Sequence, residues 1–327
     1  MQDREIISNL TTKVVTQIGE TVLGQAKVSE LLFGALLIGG HVLLEGPPGV
    51  AKTLLARCFA ETLGLSFRRI QFTPDLMPSD ITGVNVFDRE SSTFRFAPGP
   101  LFADIVLADE INRTPPKTQA ALLEAMEEHR VTVDGKPYEL GELFTVVATQ
   151  NPIEMEGTFP LPEAQLDRFL FKLQISYPDK TAEQQMLERF SSEPQLRSLQ
   201  PSPERSPGRA GLQLSDLLEA RAALRRVRLA PAISDYVLRL VSATRTHGAL
   251  ELGASPRAGL GLALAAKLSA ALERRDFVIP DDVKKVARPV LLHRLIPKSD
   301  LYDSADGVES VLDQLLKTTP VPSKVEG

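Results

Sequence analysis

The sequence predicts an α/β domain built on a parallel sheet, followed by a small all-helical domain. Three observations carry this. Five short apolar runs alternate with helical patterns between about residues 3 and 180, a Ser/Pro/Arg-rich stretch without periodicity lies near residue 200, and four helix-patterned segments follow it. Strands buried on both faces read as continuous apolar runs, and strands separated by helices imply a parallel sheet with covered faces. The chain of 327 residues is 43% hydrophobic, enough for a sizeable core and about two domains at roughly 150 residues each.

The five runs are HVLLE (41–45), FRRIQF (67–72), DIVLAD (104–109), LFTVVAT (143–149) and FLFKLQI (169–175). Two stretches interrupt the alternation. TGVNVFDRESSTFRFAPG (82–99) sets VNVF and TFRF around a polar centre, with Phe94 and Phe96 expected to pack. HRVTVDGKPYEL (129–140) is built around Asp134-Gly135, a strong hairpin signal. The α/β domain is thus placed at 1–190, with hairpins inserted near 82–99 and 129–141. SSEPQLRSLQPSPERSPGRAGLQ gives a linker at 191–213. A helical domain at 214–327 follows from SDLLEARAALRRVRL, PAISDYVLRLVSATRTH, SPRAGLGLALAAKLSAALERR and PDDVKKVARPVLLHRL, each with Ser, Pro or Asp near its start. Arg221, Arg225, Arg226 and Arg228 read as a solvated charged face.

A net charge of −5 disfavours nucleic acid as a partner. A single cysteine, Cys58, reads as a small core residue rather than half of a disulfide. The histidines at 41, 129, 247 and 293 lack metal-ligand spacing. No apolar run approaches the length of a membrane span, and the N-terminal MQDREIISNLTTKVV is charged where a signal peptide is apolar, so a soluble cytoplasmic protein is expected.

The chemistry begins where the first run ends, in EGPPGVAKT (45–53). It fits G-x-x-x-x-A-K-T, with Gly46, Ala51, Lys52 and Thr53 at the diagnostic positions and Gly49 inside the loop; an alanine there permits close phosphate approach if its φ is negative. A loop between strand and helix aims backbone N–H groups and the positive helix end at phosphates, Lys52 reaches the β and γ phosphates, and Thr53 binds Mg²⁺. DIVLADEINR (104–113) ends a strand in Asp109-Glu110, a pair suited to holding Mg²⁺ and deprotonating an attacking water. The pair is not needed as a helix cap, because Thr114-Pro115 offers a natural N-cap and first helical residue. VVATQNP (146–152) ends another strand at the same sheet edge, where Asn151 could reach the γ-phosphate or the water.

These residues resemble an AAA+ ATPase, and more narrowly the MoxR family, over nearly the whole chain. The resemblance makes GPPGVAKT the nucleotide loop, with Gly46, Pro47, Pro48, Gly49, Val50, Ala51, Lys52, Thr53 and Leu54 on the nucleotide, IVLADE the metal-and-base strand, and Asn151 the sensor 1 residue. VLGQ (22–25) resembles the segment against adenine, and SPRAG (255–259) is similar to the sensor 2 motif, which puts Arg257 on the γ-phosphate. Gln71 sits where related ATPases place a polar residue that restrains the catalytic glutamate. Cofactors implied are ATP and Mg²⁺. The family implies a ring, usually a hexamer, acting as a chaperone or remodelling machine on protein clients, with a partner that carries a von Willebrand factor A domain. A DNA-acting motor and an ATP-dependent assembly scaffold are the competing readings. Against the motor, the 129–141 hairpin offsets Arg130 and Lys136 with Asp134 and Glu139.

LPEAQLDRFLF (161–171) poses the last question. Positions 164 and 165 are alanine and glutamine, so Arg168 has no acid at the i−4 or i−3 spacing of a helical pair. In the family pattern the LDRF arginine projects to the neighbouring subunit's γ-phosphate. Such a finger is worth about 10³ to 10⁵ in rate, roughly 4 to 7 kcal/mol, against about 0 to 1 kcal/mol for a surface ion pair.

Overall fold

A computed structural model describes residues 2–151, 157–192, 208–298 and 307–322. The chain forms two compact units: Lys13–Leu161 with Leu173–Gln213, and Met1–Thr12 with Pro162–Lys172 and Leu214–Gly327. In chain order the elements begin with α1 (Gln2–Gly19), α2 (Ala26–Ile38), β1 (Val42–Glu45), α3 (Lys52–Leu63), β2 (Phe67–Gln71), α4 (Pro78–Thr82), β3 (Gly83–Asp88), β4 (Thr93–Pro98) and β5 (Ile105–Asp109). Next come α5 (Pro116–Glu128), β6 (Arg130–Val133), β7 (Lys136–Glu139), β8 (Thr145–Gln150), α6 (Glu163–Leu166), β9 (Phe171–Gln174) and α7 (Lys180–Ser192). The remainder comprises α8 (Leu214–Arg226), α9 (Pro231–Thr246), β10 (Leu250–Leu252), α10 (Pro256–Leu272), α11 (Pro280–Leu291), β11 (Ile296–Pro297) and α12 (Gly307–Thr318).

The five apolar runs become one sheet in the order β2-β5-β8-β1-β9. The pairs β2–β5, β5–β8 and β8–β1 are parallel. Every residue of central β5 is buried, as are all but the last of β8, which matches their continuous apolar sequences. Edge strand β2 instead exposes Arg68, Arg69 and Gln71 and buries Phe67 and Ile70. Charge on an edge strand discourages further pairing. Because β8 lies between β1 and β5, the residues ending these three strands meet at one sheet edge.

Both hairpins form, β3 against β4 and β6 against β7. Asp134 and Gly135 both have positive φ (49° and 78°), as the tight turn between β6 and β7 requires. Phe96 stacks on Tyr138 with ring centroids 3.9 Å apart. Phe94 does not pack as expected: it shares a strand face with Phe96 but lies two residues nearer the turn of the hairpin, where it touches only Phe87 edge-on among the aromatic rings and is 72% exposed.

Cys58 is buried, as expected, and burial raises its thiol pKa. Of the linker expected at 191–213, residues 193–207 lie outside the described residues. Its end is held: Ala210 N–H donates to Thr62 O, and Arg209 pairs with Glu61 at 2.9 Å. Within the helical unit Arg225, Arg226 and Arg228 are exposed, but Arg221 is buried against the expectation of a solvated face. It shares the face of α8 that carries buried Leu217, Ala220 and Leu224. Asp282 organises the start of α11, accepting from Ile279 N–H, Ser269 Oγ and both ends of the Arg275 fork. Among the described residues no helix is long and apolar enough to cross a membrane.

His41, just before β1, is a buried polar junction. Val146 N–H donates to its Nδ1 at 3.0 Å, and its Nε2 lies 3.0 Å from Met126 O, which fixes the neutral tautomer with hydrogen on Nε2. Burial pushes its pKa down to about 4, with the Met126 carbonyl opposing and His129 adding a small repulsion. The folded state therefore resists protonation that the unfolded chain accepts near 6.5. Stability from this group is full above that value and is lost as pH falls towards about 4, by about 3 kcal/mol at most. In urea unfolding at pH 7 and pH 4.5, His41→Gln should show a smaller stability difference than the native chain. An undiminished difference would count against His41 as a source of the acid sensitivity.

Candidate nucleotide site

The site is built at the end of β1. Gly46 leaves the strand so close to β9 that an added Cβ would lie 2.2 Å from Ile175 O, so glycine is required there by strand packing. Gly49 (φ 81°) then reverses the chain, and Ala51 caps α3 in the left-handed conformation, with φ 63°. The condition of a negative φ at Ala51 is thus not met: an alanine occupies the position in the backbone state that favours glycine, at a cost of roughly 1 to 2 kcal/mol. Lys52 folds back over the loop and donates to Gly46 O, to Pro47 O at 3.1 Å and to Gln150 O at 3.5 Å. Its ammonium stands between the loop and the end of β8.

Asp109, 6% exposed at the end of β5, gathers its neighbours. Thr149 Oγ1 donates to its Oδ1 at 2.6 Å and in turn accepts from Glu110 N–H at 2.9 Å. Thr53 Oγ1 donates to Oδ2 at 3.1 Å, joined there by Arg69 through Nε at 3.0 Å and Nη2 at 2.7 Å. Glu110 follows in the left-handed conformation (φ 58°), a strained state for a non-glycine residue and one that clusters at functional sites. Its Oε2 accepts from Gln71 Nε2 at 2.9 Å and pairs with Arg113 at 3.1 Å. Asn151 is buried at the end of β8. Lys52, Thr53, Arg69, Asp109, Glu110 and Asn151 line one cleft of about 460 Å³.

Thr114 does not cap α5. The helix begins at Pro116 with Pro115 before it, and Thr114 Oγ1 instead donates to Thr73 O at 2.6 Å. Two consecutive prolines shift the start by one residue, because the first of them takes the extended conformation (ψ 153°). The conclusion drawn from that cap stands on other grounds, since Asp109 and Glu110 turn their carboxylates to the cleft.

A second, more apolar cleft of about 170 Å³ lies on the other side of the loop, lined by Val22, Gln25, Val50, Leu54, Tyr177 and Met186 among others. Gly49, Ala51 and Leu54 border both clefts. The VLGQ segment therefore lies where a flat base could rest while the loop holds its phosphates.

Of the predicted residues, Gly46 to Leu54, Asp109, Glu110 and Asn151 come together in the sheet unit. Arg168 and Arg257 belong to the helical unit. There, the turn carrying Arg168 is gripped by Arg294, 3% exposed in its side chain. Its Nε donates to Asp167 Oδ1 at 2.7 Å, Nη2 to Asp167 O and Phe169 O at 3.0 and 2.6 Å, and Nη1 to Leu170 O at 3.3 Å. Asp167 Oδ2 accepts from Ser255 Oγ, which also caps α10 by accepting from Ala258 N–H. The helix start that carries Arg257 is thereby joined to the Arg168 turn. Sequence reading missed Arg69, Arg113 and Thr149. Only Arg69 left a signal: in R-I-Q it shares with Gln71 the exposed face of β2.

A strand-to-helix phosphate loop beside a buried strand-end Asp109 and the part-exposed Glu110 that follows it, with a polar residue delivered from the strand between them, defines an AAA+ ATPase with a helical lid. Residues 41–171 match the model of the ATPase family associated with various cellular activities (AAA), and residues 242–313 that of the AAA lid domain. The chain is 42% identical to YeaC, an uncharacterised protein of Bacillus subtilis, over 98% of both chains. It is 41% identical to the chaperone MoxR1 of Mycobacterium tuberculosis, over 95% of this chain and 82% of that one. The crystal structure of a candidate ATPase from Cytophaga hutchinsonii superposes with a TM-score of 0.86 at 36% identity, covering 98% of this chain and 97% of that one. The chain belongs to the MoxR family of AAA+ ATPases, and its reaction is the hydrolysis of ATP.

Two loop substitutions separate the backbone effects. Ala51→Gly relieves the left-handed alanine but adds freedom to the unfolded chain, for a net change of roughly 0 to +1 kcal/mol in urea unfolding. Gly46→Ala forces the Ile175 carbonyl to move and should destabilise by about 1 to 3 kcal/mol. A clear loss in Ala51→Gly, or none in Gly46→Ala, would contradict this account.

Proposed function

We propose that the chain is an ATP-driven remodelling machine for protein clients, working in the cytoplasm as a ring, hexameric by family resemblance, with nucleotide held between subunits. The observation that supports a protein client is the apolar exposure of the β3–β4 hairpin, where Phe94, Val86 and Phe87 are all more than half exposed. Among the described residues of the sheet unit they contact each other through Phe87 and Phe94 and otherwise face outward. Family resemblance adds the expectation of an adaptor or client with a von Willebrand factor A domain.

The residues fit a magnesium ion. Thr53 hydroxyl and Asp109 carboxylate are hard oxygen donors meeting at 3.1 Å beside the phosphate loop. When bound, Mg²⁺ would neutralise charge on the phosphates. Lys52 is placed to hold the phosphates, Glu110 to take the proton of the attacking water, and Asn151 to orient that water or the γ-phosphate. Arg257 is assigned to the γ-phosphate from the lid, and Arg168 to the γ-phosphate of the neighbouring subunit. Both roles come from the resemblance.

Glu110→Gln should bind ATP and retain clients while hydrolysing little. Arg168→Ala should bind nucleotide nearly normally yet lose about 10³-fold or more of its turnover. Mixing Arg168→Ala with inactive Lys52→Ala should restore some activity at mixed interfaces, measured as phosphate release. A monomer with full activity would end the trans assignment. Glu110→Gln turning over at the native rate would remove Glu110 as the base.

A further inference from the structure

We propose that Arg69 is a positioning residue that competes with the magnesium ion for Asp109 and, through Gln71, ties that competition to the restraint of Glu110. The inference rests on the reading of Thr53 and Asp109 as the metal-holding pair.

The register sets it up. Gln71 pairs with Asp109 and Arg69 with Leu107 across β2 and β5, so Arg69 starts two residues behind the carboxylate and its long side chain reaches forward along the strand. Both Nε and Nη2 end on Oδ2, not on Oδ1, which Thr149 already occupies. Oδ2 also receives Thr53, so three donors converge on an oxygen with about two lone-pair directions. A cation held by Thr53 and Asp109 must enter at that same oxygen. Thr53 would keep its place as a ligand, so the group that yields is Arg69.

What makes this more than local crowding is the second use of the same guanidinium. Arg69 Nη2 also donates to Gln71 Oε1 at 2.5 Å, and the Gln71 amide nitrogen donates to Glu110 Oε2 at 2.9 Å. One side chain thus links the metal carboxylate to the amide that restrains the base. When Arg69 leaves Asp109, the oxygen end of Gln71 loses a fixed donor, and the hold of its nitrogen end on Glu110 loosens. Arg113 remains on Glu110 and keeps the carboxylate at the cleft. Exchange is feasible because the Arg69 side chain is 44% exposed and returns to water, while an incoming cation would keep the buried Asp109 carboxylate paired.

The test reads the metal directly. With a fluorescent ADP analogue bound, Mg²⁺ is titrated and its half-saturating concentration compared between the native protein and Arg69→Met. The variant should need about two- to fivefold less Mg²⁺, while its ADP affinity in excess chelator stays within about twofold of native. Gln71→Leu, which leaves the Arg69–Asp109 pair intact, should keep the Mg²⁺ requirement within about twofold of native. An unchanged or raised requirement in Arg69→Met would overturn the inference, as would an equal shift in Gln71→Leu. Arg69→Ala carries the same expectation where the methionine variant gives no cooperative melt. Failure of the native protein to bind ADP, or to respond to Mg²⁺, would instead strike the nucleotide reading on which this inference stands.

Discussion

The sheet unit depends on one buried carboxylate. Asp109 sits at the end of a strand buried along its whole length, and a charge in that position is tolerated only when it is paired and hydrogen-bonded. Its partners come from three separate elements: Thr53 from the first turn of α3, Thr149 from β8 and Arg69 from β2. The requirement to satisfy two oxygens therefore fixes where the phosphate loop meets the sheet and how the ends of β2, β5 and β8 align. The groups that make the buried carboxylate bearable also bring Thr53, in the first turn after the phosphate loop, directly onto it.

A comparable constraint shapes the helical unit. Burying the Arg294 guanidinium would be costly, and the cost is offset by Asp167 and by four backbone carbonyls, three of them within residues 167–170. Burial lowers the Arg294 pKa, Asp167 opposes that shift, and the nearby charge of Arg257 reinforces it. The guanidinium keeps its charge even so, since an arginine is not deprotonated in proteins. The turn on which Arg168 sits is thus specified by a residue more than a hundred positions away in sequence. Local pairing could not have specified it, because α6 spans only Glu163–Leu166.

That separation explains what the sequence could and could not disclose. The strands were legible because burial on both faces leaves continuous apolar runs, and all five lie in the observed sheet. The loop, Asp109, Glu110 and Asn151 were legible because each sits at a strand end, where spacing alone identifies the sheet edge. The left-handed φ of Ala51 was not legible, because alanine seldom adopts it and only the demands of the loop impose it. Thr114 was misread because local capping preference lost to a tertiary acceptor, Thr73 O. Arg221 was misread because a run of arginines looks uniform in sequence, while one helical face buries its member. Arg69 was nearly silent: its role depends on the register of β2 against β5, which neither strand reveals by itself.

The charged residues named for the site divide between the two units. The loop, the two strand-end acids and Lys52 lie in the sheet unit, whereas Arg168 and Arg257 both belong to the helical unit. Within that unit Ser255 Oγ donates to Asp167 Oδ2 at 2.9 Å, and Ser255 also caps the helix that bears Arg257. The capping serine and the residue preceding Arg168 are therefore one hydrogen-bonded pair, anchored by a buried ion pair on the other carboxylate oxygen. A movement that displaced one arginine while leaving the other in place would have to break that pair and expose Arg294. Rigid-body motion avoids this cost, so within the helical unit the two arginines keep their spacing to one another.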